Sequence, residues 1–266
     1  MLDKQPLSYR TSFDQTALEY DAVRPGYPPT LIEDIVTITG LPSPARILEI
    51  GCGTGQATLP FAERGDRLTC LDIGAEMLAV ARPKFATFPN VEFQHTSFED
   101  WSASPNTFDL VMSATAFHWV APEVGYSKAA QLLKPGGWLA IFSNEHPAEF
   151  SGFFADIQSV YARIIPELWI DPRDGPPIES GMASVVRTID STGLFEPAIV
   201  RSYPWREQYT TSQYLRLIGT YSPNLALPAE KRKELFEGIA EFIDTQYGGK
   251  ISKLYMAVLY LARKPV

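Results

Sequence analysis

Arg46-Ile-Leu-Glu-Ile50 runs directly into Gly51-Cys-Gly-Thr-Gly55, and the fold turns on this stretch. The first five residues read as a buried strand. The next five read as a tight turn whose alternating glycines leave the backbone open to a ligand. A plain strand-to-helix turn needs fewer glycines. In an open α/β sheet such a ligand sits outside the carboxyl end of the first strand, where the strand order reverses. A dinucleotide fingerprint would place its third glycine where Gln56 stands. Here that glycine comes one place earlier, a spacing that disfavours a pyrophosphate on the helix N-terminus.

Outward from this turn the pattern alternates. Gln56 to Arg64 fits a helix, and Leu68 to Leu71 a strand ending at Asp72. Ala75 to Phe85 has helical apolar spacing at Met77, Leu78 and Ala81. Val91 to His95 and Phe108 to Met112 are further strands. Pro122 suits a first helical turn, and that helix runs to about Leu133. Lys134-Pro-Gly-Gly137 then turns the chain into a strand over Trp138 to Phe142. Upstream, a helix opens at Tyr27-Pro-Pro-Thr30 and stops at Gly40. Downstream, Ala198 to Tyr203 is a strand, Ser212 to Thr220 and Ala229 to Thr245 are helices, and Ile251 to Ala262 is a long last strand. This predicts an α/β fold: a Rossmann-like seven-stranded, mostly parallel sheet with helices on both faces and a helical cap from late insertions.

The formal net charge is −8 over 266 residues, with no run of Lys or Arg. A phosphate backbone or an anionic membrane wants clustered cations, so neither nucleic acid nor membrane is expected as a partner. The two cysteines, Cys52 and Cys70, suggest a reducing compartment rather than a disulfide framework. His95, His118 and His146 show no metal-ligand spacing. With no apolar leader near Met1 and no spanning run, a cytoplasmic location is expected.

Other strand ends carry chemistry. Asp72, followed by Ile73, is placed to accept hydrogen bonds from both hydroxyls of a ribose; its alternative role is to cap the next helix. Ser97-Phe98-Glu99-Asp100 suits an adenine edge or a polar loop. Ser113-Ala-Thr-Ala-Phe-His-Trp119 offers small residues for close approach, then an apolar wall with polar tips. It reads equally as core packing or as a site.

Leu48 to Gly55, Leu71-Asp-Ile73, Phe108 to Val111, Ala116-Phe-His-Trp-Val120 and Leu133-Lys-Pro-Gly-Gly-Trp138 together resemble the class I S-adenosylmethionine-dependent methyltransferases. Within them the chain is similar to the small-molecule group that includes trans-aconitate methyltransferase, as is Phe13…Tyr20-Asp21…Arg24-Pro-Gly-Tyr27. The resemblance implies S-adenosyl-L-methionine as cofactor. It implies that Glu49, Gly51 and Gly53 flank the methionine part, that Asp72 holds the ribose, that Met77 lies near the adenine and that the Phe98 backbone meets the adenine ring; Gly55, Ile73 and Ser97 are cofactor residues as well. Ala114 lies beside the sulfonium, and Arg24 joins the cofactor residues. Many relatives have Asp where Ser97 stands here, which leaves adenine recognition to backbone groups or to Glu99. One domain, 1–266, is expected. Within it, about 28–144 is the cofactor core, 1–27 a lid arm, 145–250 cap insertions with late strands, and 251–263 the final strand.

The expected function is methylation of a small-molecule acceptor, with an organic carboxylic acid as the proposed substrate and O-methylation as the reaction. Tyr20, Phe117, Trp119, Trp205 and Tyr221 are the expected acceptor residues, with Arg24, Arg206 or Arg216 as the source of a cation. A carboxylate acceptor needs no base; an alcohol or phenol would, and His118 is the expected catalytic group. Two other readings remain open at this point: a nicotinamide-dependent oxidoreductase and a non-catalytic cofactor-binding regulator.

Overall fold

The computed structural model describes residues 17–166, 169, 171 and 174–266. Tyr9 and Phe13 of the expected lid arm lie outside the described residues. A single seven-stranded sheet carries the chain, in the order β3-β2-β1-β4-β5-β7-β6. The strands are β1 (Arg46–Ile50), β2 (Arg67–Asp72), β3 (Val91–His95), β4 (Phe108–Ala114), β5 (Leu133–Glu145), β6 (Ile199–Thr210) and β7 (Lys250–Arg263). β7 runs antiparallel to both its neighbours, β5 and β6, and the ladders linking β1 to β5 are parallel. A doubly-wound dehydrogenase sheet follows 3-2-1-4-5-6. The antiparallel strand wedged between β5 and β6 sets this sheet apart from that order.

Helices cover both faces. They are α1 (Ala17–Val23), α2 (Pro29–Thr39), α3 (Thr58–Glu63), α4 (Ala75–Lys84) and α5 (Pro122–Leu132), then α6 (Phe153–Asp156), α7 (Gln158–Ile164), α8 (Ile178–Ser191), α9 (Thr211–Gly219), α10 (Ser222–Leu225) and α11 (Ala229–Tyr247). The strand period of two explains the layering. In β1, Ile47 joins Leu31, Ile35 and Phe61 on one face, while Leu48 and Ile50 join Tyr126, Ala129 and Leu132 on the other. A third apolar cluster holds the cap, where Val160, Leu217, Leu235 and Ile239 pack on Tyr209 of β6 and Tyr255 of β7. The cap is therefore built on the sheet's own last two strands.

Some expectations need correction. Lys134 to Gly137 is a bulge inside β5: Phe108 pairs with Leu133, and Leu110 already pairs with Trp138. β6 reaches Thr210, well past Tyr203, because its whole length ladders onto β7. The helix expected from Gln56 starts at Thr58, since the glycine turn uses the intervening residues. Part of the arm is helical, as α1. None of the described helices is long and apolar enough to cross a membrane, and no group of three His, Cys, Asp or Glu side chains among the described residues is placed to hold a metal.

Candidate functional site

Two adjoining chambers open at the carboxyl ends of β1, β2, β4 and β5, and they share Tyr20, Arg24, Gly51, Gly53, Ala114 and Thr115. The first lies over β2 and β3. Asp72 forms its polar edge. The Gly53 N–H donates to Asp72 Oδ2 at 2.7 Å and the Gly74 N–H to Oδ1 at 2.8 Å. One carboxylate thus ties the glycine turn to Gly74 ahead of α4; the N-cap of α4 is Gly74 itself, with no side-chain cap, so Asp72 does not cap the helix. Ile73, Met77 and Phe98 also line this chamber, as do His118 and Trp119.

The second chamber lies over β4, β5 and β7. Glu49 sits on its floor, fully buried. Glu49 Oε2 accepts from Thr58 Oγ1 at 2.6 Å, while Oε1 has no hydrogen-bond partner among the described residues. Burial pushes its carboxyl up to about 8, against the pull of the bonds from Thr58 and Cys70. Across the chamber stands Arg24. Its guanidinium lies 4.9 Å from the Tyr20 ring centroid and 4.6 Å from that of Tyr221, and it donates to Thr220 Oγ1 and the Thr220 carbonyl. Thr115, at the end of β4, takes φ +54, an uncommon backbone state for a side-chain-bearing residue. Its hydroxyl pairs with Tyr27 Oη at 2.7 Å, which fixes the turn against the arm.

This donor set fits an S-adenosyl group. A buried acceptor without a partner on one side and a guanidinium on the other match the ammonium and carboxylate of an α-amino acid. Asp72 matches a ribose. Around Gly53 nothing stands closer than 4.0 Å to where a Cβ would lie, so a ligand can approach the backbone there.

The structure brings Tyr20, Arg24, Glu49, Gly51, Gly53, Asp72, Ile73, Met77, Phe98, Ala114, His118, Trp119 and Tyr221 together around these chambers. Four expected residues stand elsewhere. Gly55 packs under the Phe85 ring, which a Cβ would meet at 2.4 Å. Ser97 turns away to bond Asp100, and Thr96 lines the chamber in its stead. Phe117 points into the core against Tyr126. Trp205 stands behind the chamber wall, stacked on Tyr255 at 5.0 Å. The two spare arginines are engaged as well: Arg206 with Glu149, and Arg216 with Glu19 of α1. That second pair, with the Lys84–Asp21 pair, straps α1 between the cap and the core.

Sequence reasoning missed Asn144, His146 and Tyr255, which line the second chamber. It also missed Lys253, buried behind Tyr255 with its ammonium pulled down to about 8 by desolvation. A discernible signal is the alternation of Lys253 and Tyr255 with apolar residues in the last strand.

Residues 47–137 match a family model described as a methyltransferase domain. An uncharacterised methyltransferase of Mycobacterium tuberculosis is 27% identical over 238 residues, 88% of this chain and 86% of the relative. A ubiquinone biosynthesis O-methyltransferase of Xanthomonas campestris is 30% identical over 185 residues, 62% of this chain and 76% of that protein. A solved structure from Anaeromyxobacter dehalogenans, described as a candidate type II methyltransferase, superposes with a TM-score of 0.60 at 22% identity, over 91% of this chain and 96% of that one. With the strand order and the glycine turn, these likenesses place the chain in the class I S-adenosylmethionine-dependent methyltransferases.

Proposed function

We infer that this methyltransferase transfers its methyl group to a small organic acid, on a carboxylate oxygen. The observation that carries the reading is the enclosure beside Ala114: Tyr20 and Arg24 line both chambers, and His118 and Trp119 bring polar ring edges to the first of them. So enclosed a space suits a small acceptor, and an indole N–H suits a carboxylate oxygen. The bound S-adenosylmethionine supplies a methyl on a cationic sulfur, which keeps the bonding pair when an acceptor oxygen takes the carbon. A carboxylate already has the required lone pair, so no residue has to remove a proton. What the chain contributes is orientation, worth roughly 7–11 kcal/mol when reacting atoms are well aligned.

In this reading Glu49 holds the methionine ammonium and Arg24 its carboxylate. Asp72 holds the ribose, and Met77 and Phe98 flank the adenine. α1 acts as the lid, with its Tyr20 and the following Arg24 lining both chambers. His118 is not needed for a carboxylate. Burial lowers its basicity and the nearby Glu145 opposes that shift.

Glu49 makes the cofactor assignment testable. Ligand-free, the folded carboxyl keeps its proton to about 8, whereas an ordinary carboxyl loses it near 4.5. The folded state then binds more protons than the unfolded one, and the stability Glu49 contributes falls as pH rises from 4.5 to 8. An ammonium beside Oε1 restores the ordinary direction and expels the proton. Binding of S-adenosylhomocysteine at pH 7 is therefore expected to release up to about one proton. Calorimetry in two buffers of different ionisation enthalpy measures it; a buffer-independent heat refutes the placement of the ammonium.

The acceptor class is tested by turnover of methyl-labelled cofactor against a library of small acids, phenols and amines. Base-labile label, the mark of an ester, is expected with acids. Base-stable methyl ethers or N-methyl products as the main outcome would overturn the carboxylate reading.

A further inference from the structure

We propose that the cofactor's α-carboxylate is held by the Tyr221 hydroxyl beside Arg24, with Tyr221 as the ligand end of a hydroxyl chain that runs through Tyr255 to Tyr209. The proposal rests on the cofactor reading above, which sets the carboxylate at Arg24, and adds a second ligand from the cap. Tyr221 lies between α9 and α10, on a turn fixed by its neighbours. Thr220 is buried, and its hydroxyl donates to the Leu217 carbonyl at 2.7 Å. The Tyr221 N–H donates to the Ile218 carbonyl at 3.1 Å. From that turn the Tyr221 side chain lines the second chamber, which has Glu49 on its floor.

Arg24 by itself makes an incomplete clamp. A guanidinium grips a carboxylate best through two parallel N–H bonds. Nε and Nη2 form one such edge, and in Arg24 both are turned to Thr220, at 3.0 and 3.1 Å. The same guanidinium lies 4.6 Å from the Tyr221 ring centroid, so an anion that meets Arg24 arrives beside this phenol. Other polar groups of the wall are engaged. Tyr27 Oη pairs with Thr115, and Asn144 bonds both Trp205 and the Gly26 carbonyl.

Behind Tyr221 the hydroxyls continue into the cap. Tyr221 is hydrogen-bonded to Tyr255, and Tyr255 Oη pairs with Tyr209 Oη at 2.9 Å. Three hydroxyls carry three protons, and the two bonds between them use two. The remaining proton leaves the chain at one end. An anion at Tyr221 draws it to that end, and each bond polarises the next. Burial raises the Tyr221 phenol above its ordinary range, against the pull of Arg24, so the hydroxyl keeps its proton and donates. The charges agree with this direction. Lys253 stands 5.0 Å from the Tyr255 ring centroid and Arg24 lies against Tyr221, so the cap side favours an anion. Glu49 Oε1, with no hydrogen-bond partner among the described residues, favours a cation at the floor. These two poles match an α-amino acid in one orientation.

The experiment titrates S-adenosylhomocysteine and its decarboxylated analogue, which keeps the ammonium, into wild type, Tyr221→Phe and Tyr255→Phe by calorimetry. Phenylalanine at 221 keeps the ring against Arg24 and removes the hydroxyl alone. Wild type is expected to prefer S-adenosylhomocysteine by about 100-fold or more, the joint worth of two hydrogen bonds to a charged group. Tyr221→Phe is expected to weaken S-adenosylhomocysteine by about 10- to 100-fold and the analogue by less than about 3-fold. Tyr255→Phe keeps the Tyr221 hydroxyl but cuts it from Tyr209; a loss of about 2- to 5-fold is expected for S-adenosylhomocysteine alone. Equal losses for both ligands in Tyr221→Phe mark a packing role and overturn the proposal, as does an undiminished preference for the carboxylate. Wild-type affinity in Tyr255→Phe overturns the hydroxyl chain. In each of these cases a wild-type preference for the carboxylate leaves its placement at Arg24 standing. A wild type that binds the two ligands equally overturns that placement and the proposal together.

Discussion

Replacing Asp72 by alanine is expected to weaken S-adenosylhomocysteine binding by about 100-fold or more. A hydrogen bond to a charged group is worth about 1.5–3 kcal/mol. The ribose alone would account for a loss near the lower end of that range. The structure adds a second cost, because the same carboxylate receives the Gly53 N–H at 2.7 Å and the Gly74 N–H at 2.8 Å. Asp72→Ala releases the glycine turn and the start of α4 together. Asp72→Asn does not rescue: an amide keeps one acceptor but turns an NH2 toward the other backbone N–H. Both variants should keep a wild-type far-UV circular dichroism spectrum, since the bonds lie at the sheet's edge and not in its core. Calorimetric titration measures the loss, and a drop of less than 3-fold in Asp72→Ala would remove Asp72 from the ribose and the turn alike.

Gly55→Val is expected to cost about 2–4 kcal/mol of folding stability, the range for overpacking combined with backbone strain. Gly55 has φ +92, and a Cβ there would stand 2.4 Å from Phe85 Cε2 and 2.8 Å from Cζ. Phe85 is a core ring set 5.3 Å from Phe93, so it has little room to yield. At about 2–4 °C per kcal/mol for a chain of this size, thermal unfolding should fall by about 5–15 °C. Gly53→Val should behave differently. The space at Gly53 is open, with Gln56 Oε1 as the nearest atom at 4.0 Å, although φ +55 strains a branched residue. That variant should lose cofactor binding with a smaller fall in stability. Thermal denaturation and calorimetry on the two variants separate a packing glycine from a ligand-facing one. Equal stability losses would mean that both glycines serve only the turn.

The contrast shows how far residue patterns reach. Gly51, Gly53 and Gly55 look alike in sequence, and nothing local separates them. Which of them faces the ligand follows from what packs beneath: Phe85 from the end of α4 under Gly55, and open space at Gly53. Phe117, His118 and Trp119 are similar. Their order announces an apolar wall. The tight 3-10 turn they form sends Phe117 into the core and leaves its two neighbours at the chamber. Ser97 is legible as a polar loop residue, yet its hydroxyl closes a local turn with Asp100 and leaves the ligand edge to Thr96.

By itself the sequence determined the alternation of strands and helices, the glycine turn after β1, the acid at the end of β2 and the family that these imply. All of these are local: a period of two or of 3.6, a residue that tolerates positive φ, a carboxylate placed by the end of its own strand. Tertiary structure alone decided that β7 enters antiparallel between β5 and β6, and with it the wall of the second chamber. His146 and Tyr255 are more than a hundred residues apart in the chain, and Arg24 is as far again from His146. Their convergence depends on ladder pairing and cap packing, which carry no local signature, because non-local contacts are specified by the whole hydrophobic pattern and not by any one segment of it.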